Sequence, residues 1–369
     1  MTLTRRNFSL WTIAGAATLA VPAISRAQSS AMQLSVTQMA NDLTAPWAFG
    51  FLPGGGFLVT ERGGKLLKFK DGQRTDITGL PEIAVDGQGG LLDLLIPRDH
   101  AQTGQIFMTY AKPSGRRAGT AVMRATLDPS ANRLRDVTTI FEIAKGSSGG
   151  RHFGSRIVED SAGHLFVTVG DRGDRPSAQD TRLHNGSILK ITKDGAPAPG
   201  NPFANVQNAQ PELYSIGHRN PQGLAIDPNG QLWASEHGAR GGDEVNRIAP
   251  GANYGWPVIS YGRHYSGRKI GEGTARDGLE QPAHYWDPSI APSGHMIYSG
   301  DLFPQWRGHH FIGSLKFDYI SRLAGDPLSE VQQIQSNATA RVRDIREAPD
   351  GSIWFLSVGN DALYRLAPA

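Results

Sequence analysis

Residues 149–160 read GGRHFGSRIVED, and VTVGDRGD follows at 167–174. A histidine among glycines, just ahead of a strand-like run, is held in the open where it can meet a ligand. A core histidine would instead sit inside a periodic apolar run. An imidazole that abstracts protons needs a carboxylate on its far ring nitrogen to fix the tautomer and raise its basicity. Asp171 follows the next predicted strand, so the loops of His152 and Asp171 can converge. They are a candidate base and its orienting acid. The same spacing also fits a solvated loop histidine and an unrelated aspartate, and both readings stand at this point.

Further stretches hold unusual polar groups. In YSIGHRNPQGLAID, 214–227, Gly217 opens a predicted tight turn that presents His218, Arg219 and Asn220, and Pro221-Gln222-Gly223 is a second predicted turn. Arg219 beside Asn220 offers a charge and an amide to a planar, oxygen-rich ligand, unless the turn is held by its own side-chain bonds. In ASEHGARGGDEVNRI, 234–248, Gly238 and Ala239 can turn carbonyls toward a hard cation while Glu244 supplies carboxylate oxygens. Calcium accepts that mixture, and no zinc-type histidine spacing accompanies it; a surface acidic loop is the alternative. Last come Lys316 in GSLKFD and the pair Arg341 and Arg343 in ATARVRDIREAPDG. Two residues apart in a strand, the arginines share a face. Either Asp344 and Glu347 neutralise them, or with Lys316 they form a pocket for a small polyanion bearing several carboxylates.

Elements must bring these groups together, and one short pattern recurs that can do so. Glycine, a variable residue and an apolar, β-rich run appear as GGFLVT, GQIFMT, GHLFVT, GQLWAS, GHHFIG and GSIWFL, starting at residues 55, 104, 163, 230, 308 and 351. The copies lie roughly 45 to 80 residues apart, as propeller blades with insertions do. With 45 glycines and 23 prolines the chain is dense in turns, and helical periodicity is scarce. The predicted fold is all-β, a six-bladed β-propeller with four-stranded antiparallel blades. The Gly/Pro-rich stretches between the third and fifth copies are predicted top-face loops, where propellers carry function. Residues 32–40, MQLSVTQMA, are predicted to pair with 362–368, ALYRLAP, and close the ring.

Residues 1–27 have the form of an export signal: Arg5 and Arg6, an apolar stretch, then Ser25-Arg26-Ala27. Their order resembles a twin-arginine leader, which implies export in the folded state to the periplasm. Residues 28–369 are then one catalytic domain. Removing the three leader arginines from 37 basic residues leaves 34 against 34 acidic ones. A balanced chain gives no global reason to expect nucleic acid or anionic membrane as partner, so any cationic site is local. No later stretch approaches about 18 apolar residues, so no membrane span is expected. There is no cysteine, which excludes thiolate metal sites and cysteine nucleophiles.

The glycine-histidine loop, GHRNPQG, SEHG followed by GGDE, NYGWP and RVRD occur in that order, and together they resemble the soluble glucose/sorbosone dehydrogenases. The likeness runs from Trp47 to the C-terminus and is greatest to the aldose sugar dehydrogenase branch, quinoproteins that use pyrroloquinoline quinone (PQQ). It implies a six-bladed propeller, with His152 as general base and Asp171 as its orienting carboxylate. It also implies that Gln88, in DGQGGLLDL, contacts substrate or quinone and that Arg219 and Asn220 stand beside the quinone oxygens. Tyr265, Lys316, Arg341 and Arg343 would contact PQQ. The carbonyls of Gly238 and Ala239 would hold the calcium that ligates PQQ, although relatives often carry proline at the second position. Glu244 and the Tyr254 carbonyl would hold a second, structural calcium. His237 stands where the glucose dehydrogenase branch has glutamine. The implied reaction oxidises an aldose to its aldonolactone by hydride transfer to PQQ, with electrons passed on to a quinone, dye or cytochrome. The same fold also carries calcium-dependent lactonases and esterases, and non-catalytic sugar- or protein-binding propellers. The Lys316, Arg341 and Arg343 patch argues against a lactonase.

Overall fold

The computed structural model describes residues 32–128 and 130–369; the expected export signal, 1–27, lies outside the described residues. Six four-stranded antiparallel sheets make up the chain. Each copy of the sequence repeat is the second strand of its blade: Phe57–Glu61, Gln105–Ser114, Leu165–Val169, Leu232–Glu236, His310–Ser314 and Ile353–Ser357. Phe57–Glu61, Leu165–Val169, His310–Ser314 and Ile353–Ser357 are buried at every position. Both faces of such a strand meet a neighbouring blade, so the run is continuous rather than alternating. The outermost strand Ser329–Gln335, wet on one face, mostly alternates.

Apolar side chains fill the seams between blades. Phe57 and Leu67 of the first blade, for example, pack with Trp354, Leu356 and Leu363 of the last. Leu34–Ala40 pairs antiparallel with Ala362–Pro368, from Leu34 opposite Pro368 to Ala40 opposite Leu363. The sixth blade is thus completed by the first strand of the chain, as the sequence predicts.

The inner strands are Pro46–Phe51, Leu91–Leu95, Ile157–Glu159, Pro221–Ile226, Pro292–Ile297 and Val342–Glu347. They pack side by side around the axis. Each blade begins inside and alternates direction outward, so all six inner strands leave from the same end of the ring. Loops entering the inner strands, and the ends of the second strands, therefore gather at one mouth. Beneath that mouth Arg156 reaches Asp344 at 2.8 Å and Asp93 at 3.4 Å, while Arg346 reaches Asp93 at 2.6 Å and Asp344 at 2.9 Å. These alternating charges join blades two, three and six across the axis.

Three details differ from the sequence-based expectation. Pro221-Gln222-Gly223 is the start of an inner strand, not a turn. Proline is tolerated at that first position, and a bulge separates it from Gly223. A Cβ on Gly223 would lie 2.5 Å from the Ser293 carbonyl and 2.6 Å from the His295 Cβ, so glycine permits blades four and five to approach. Secondly, Arg341 precedes its strand in the left-handed region, φ 50°, and a bulge follows, so the two-residue same-face argument does not describe Arg341 and Arg343. Thirdly, of the two long insertions only 249–283 sends residues to the mouth. The other, 192–212, starts at the opposite end and contributes nothing to the cavity there.

Candidate active site

The mouth opens into a cavity of about 1020 Å³. Gln88, Asn220, His237, Gly238, Ala239, Tyr265, Lys316, Arg341 and Arg343, all singled out by sequence, line it. His152 adjoins it, because its backbone N–H donates at 2.6 Å to the Gln88 side chain.

His152 precedes the inner strand of blade three and Asp171 follows the second strand, so the antiparallel pairing of those strands returns Asp171 to His152. A Cβ on the intervening Gly170 would lie 2.2 Å from the His152 carbonyl, and glycine there lets the loops close. The imidazole Nδ1 stands 2.6 Å from Asp171 Oδ1. A carboxylate only accepts, so the proton sits on Nδ1 and Nε2 keeps its lone pair. Asp171 is fully buried and accepts further bonds from the Gly173 N–H at 2.7 Å and the Trp256 indole at 2.8 Å. Those bonds and the imidazole hold its pKa below the usual value despite burial. Burial lowers the pKa of His152, Asp171 raises it, and the positive charges of Arg219 and Arg151 lower it again; the net shift is downward. His152 has φ 54°, an uncommon backbone for a residue with a side chain. Gln88 grips its backbone and Asp171 its ring.

Arg219 is 7% exposed; its N–H donates to Glu236 at 2.7 Å and its guanidinium to the His237 carbonyl at 3.2 Å. Asn220 accepts from the Gly154 N–H at 3.2 Å, tying it to the His152 loop. His218, expected to be presented beside them, is fully buried between Glu236 at 2.8 Å and Ser215 at 2.9 Å. Its role is to brace the turn. His237 donates to the Pro292 carbonyl at 2.7 Å, and burial with the charges of Arg219 and Arg343 pushes its pKa down to about 3. It is neutral.

The cations across the cavity are not neutralised by the acids in their own segment. Asp344 is taken by Arg156 and Arg346, and Glu347 holds Ser299 at 2.7 Å. Arg341 donates to the Leu315 carbonyl at 2.9 Å, and Arg343 to Gln222 at 2.9 Å. Burial, then repulsion from Arg156, Arg341 and Arg62, pushes Arg343 down to about 9. The site is short of negative charge.

Two features bear on a metal ion. Asp243 binds the Gly238 N–H at 2.8 Å, Ser289 at 2.6 Å and the Ala291 N–H at 2.8 Å, fixing the loop that carries Gly238 and Ala239 at the cavity wall. Deeper in blade four, Glu236 and Glu244 face each other across paired strands. Asn246 donates to both carboxylates, leaving its buried Oδ1 without a partner. Burial and the Glu236 charge push Glu244 up to about 8. Tyr254 lies in the same blade, its ring stacked on His218 at 4.6 Å. Neither Glu244 nor Tyr254 lines the cavity. Among the described residues no three histidines or acids are grouped to bind a metal, so a cation here would need backbone or amide oxygens beside any carboxylate.

Sequence reasoning did not reach Arg62 and Gln222, which line the cavity, nor Trp256, which supports Asp171. Arg156 was also missed, although it fixes the Arg343 carbonyl at 2.8 Å and the Gln222 carbonyl at 2.6 Å. Trp256, Gln222 and Arg156 lay inside the noted stretches NYGWP, GHRNPQG and GGRHFGSRIVED, yet nothing local marked their roles, and Arg62 lay outside all of them.

Comparison with known proteins gives a consistent result. The model of the glucose / sorbosone dehydrogenase family matches residues 43–365. The chain is 39% identical over 333 residues to the aldose sugar dehydrogenase of Escherichia coli K12, covering 88% of this chain and 90% of that one. The crystal structure of the soluble aldose sugar dehydrogenase from Escherichia coli in its apo form aligns with a TM-score of 0.88 at 38% identity, over 91% of this chain and 100% of that one. The PQQ-bound aldose sugar dehydrogenase from Streptomyces coelicolor aligns with a TM-score of 0.76 at 28% identity, over 91% of this chain and 99% of that one.

Proposed function

The chain belongs to the glucose/sorbosone dehydrogenase family, and we propose that it oxidises the anomeric hydroxyl of aldose sugars to aldonolactones with PQQ and calcium as cofactors. One observation carries this reading: Lys316, Arg341 and Arg343 line a cavity whose wall at Gln88 holds the backbone of His152, and among the described residues none of the three forms an ion pair. PQQ is a planar tricarboxylate. It supplies the negative charge that buried Arg343 lacks, and arginine grips carboxylates bidentately. The donor set also suits calcium, which takes backbone carbonyls such as those of Gly238 and Ala239. Asn246, whose amide nitrogen serves Glu236 and Glu244 while its buried oxygen lacks a partner, offers an oxygen to a second ion near Glu244 and Tyr254. A calcium-dependent lactonase has less support, because the acids of the mouth are not gathered to hold its metal.

When bound, the quinone supplies the hydride acceptor and the calcium the Lewis acid that polarises it. The chain's own groups do the rest. His152 removes the proton of the anomeric hydroxyl through Nε2. Asp171 holds the ring in that tautomer and stabilises the imidazolium that forms. Arg219 provides fixed positive charge where negative charge develops, and burial makes it effective without reorganisation. Gln88 restrains the backbone of the base, and Asn220 links its loop to blade four. His237, neutral and fixed by Pro292, orients without adding charge. The exposed Tyr265 flanks the entrance. The export signal favours a periplasmic setting.

The decisive test is reconstitution of the purified apoprotein with PQQ and calcium, followed by dye reduction against a panel of sugars. Sugar-dependent reduction that requires both cofactors is expected, and its absence would reject the proposal. Arg341→Ala with Arg343→Ala should weaken PQQ binding at least tenfold by titration. An unchanged dissociation constant would remove the patch as its site. Exhaustive chelation by EDTA should lower both activity and melting temperature, and calcium should restore them.

A further inference from the structure

The cations of this molecule are unevenly paired. Toward the end remote from the mouth they meet acids: Lys193 with Glu159 and Asp99 at 2.8 Å each, Lys190 with Asp160 at 3.0 Å, Arg98 with Glu159 at 3.7 Å. Around the mouth six do not. Arg62, Arg151, Arg240, Arg263, Arg268 and Lys269 form no ion pair among the described residues, and all but half-buried Arg62 are exposed. The acids there are fewer than the cations. Asp86 and Asp287 stand at the mouth, Asp174 faces Lys145 at 3.5 Å, Asp318 accepts the Arg341 N–H at 2.8 Å, and Glu272, whose carbonyl accepts Lys269, pairs with Arg276 at 3.2 Å. The described residues, balanced in charge once Arg5, Arg6 and Arg26 are set aside, thus present a positive face at one end.

Part of that face cannot serve a ligand inside the cavity. Arg263, Arg268 and Lys269 lie on the hairpin that carries Tyr265, yet only Tyr265 lines the cavity. They face solvent beyond the cavity, where a ligand held inside it does not meet them. Aromatic groups are interleaved with them: Tyr265 is 72% exposed, and Tyr285, 47% exposed, stacks on Tyr261 at 4.1 Å. Exposed tyrosine among arginine is the composition of a protein interface rather than of a plain solvated surface.

We propose that this face docks an acidic, one-electron carrier protein that receives the electrons of sugar oxidation. The proposal rests on the dehydrogenase reading above. Oxidation of an anomeric alcohol to a lactone releases two electrons and two protons. Two carrier molecules in succession take one electron each, and the protons pass to water. Opposite charge steers each encounter and orients the carrier over the mouth of the cavity.

Cytochrome c offers the test, because its native form is basic and its succinylated form acidic around the same haem. The reconstituted enzyme, with saturating sugar, is expected to reduce the succinylated form at least about tenfold faster at low ionic strength. The gap should close toward about 0.5 M salt, where screening is strong. The variant Arg263→Glu, Arg268→Glu, Lys269→Glu should lose the preference while reducing a small phenazine dye at the parental rate. Equal rates for the two cytochromes, or a preference untouched by the variant, overturns the proposal. So does tight binding of duplex DNA to this face with no advantage for the acidic cytochrome. Failure of dye reduction in the parent protein would instead reject the dehydrogenase reading, so the two are separable.

Discussion

At the scale of single residues, the proposed chemistry turns on the protonation of one ring. As the proposed base His152 works only when neutral, and its pKa is held below the ordinary 6.5 by burial and by Arg219. The acid limb of kcat/KM is therefore expected below pH 6.5. Arg219→Ala removes one of the lowering charges and should move that limb upward, alongside its loss in rate; a limb that stays put would separate Arg219 from the base. His152→Ala should leave PQQ binding intact while kcat falls by roughly a hundredfold to ten-thousandfold, the usual contribution of a positioned base. The loop histidine, its aspartate and the cationic trio were legible because each has a short local signature. Arg156 and Trp256 were not. The partners of Arg156 lie 63 and 188 residues away and that of Trp256 lies 85 residues away, so only the closed ring reveals them.

At the scale of elements, the repeat was readable because the second strand of each blade is buried on both faces and follows a glycine turn. The first strands were harder. Pro221–Ile226 starts with residues that signal a turn, yet glycine is there to admit a neighbouring blade and proline stands where its missing N–H matters least. Local chemistry was right and its tertiary use was different. The strand Leu34–Ala40 was found from its pairing potential, although within it only Ala40 is buried. Its contribution lies in backbone bonds and in covering the edge of Ala362–Pro368, not in apolar area. Deleting 32–40 should lower the melting temperature by about 5–10 °C and cause aggregation through the uncovered edge. A variant as stable and monodisperse as the parent would contradict closure by this strand.

For the molecule as a whole, buried histidines make stability depend on pH. His310 is pushed down to about 4, and His295, 3.0 Å from it, lies well below 6.5, both chiefly through burial. Unfolded chains bind protons at these positions near 6.5 while the folded ring refuses them. Stability is thus complete above 6.5 and is lost as pH falls toward about 4. A tenfold difference in proton affinity between the folded and unfolded chain is worth about 1.4 kcal/mol, and the midpoint of urea unfolding should drop between about pH 7 and pH 5. A flat midpoint would show that these rings accept protons in the fold. The interlocked arginines and aspartates beneath the cavity have a different consequence. They bridge the axle of the propeller beneath the cup, and in the proposed reaction sugar, lactone and electron carrier share the mouth above them. Traffic through it has to take turns. Steady-state kinetics should accordingly follow a ping-pong pattern, with excess sugar slowing turnover by competing against the carrier for the vacated entrance.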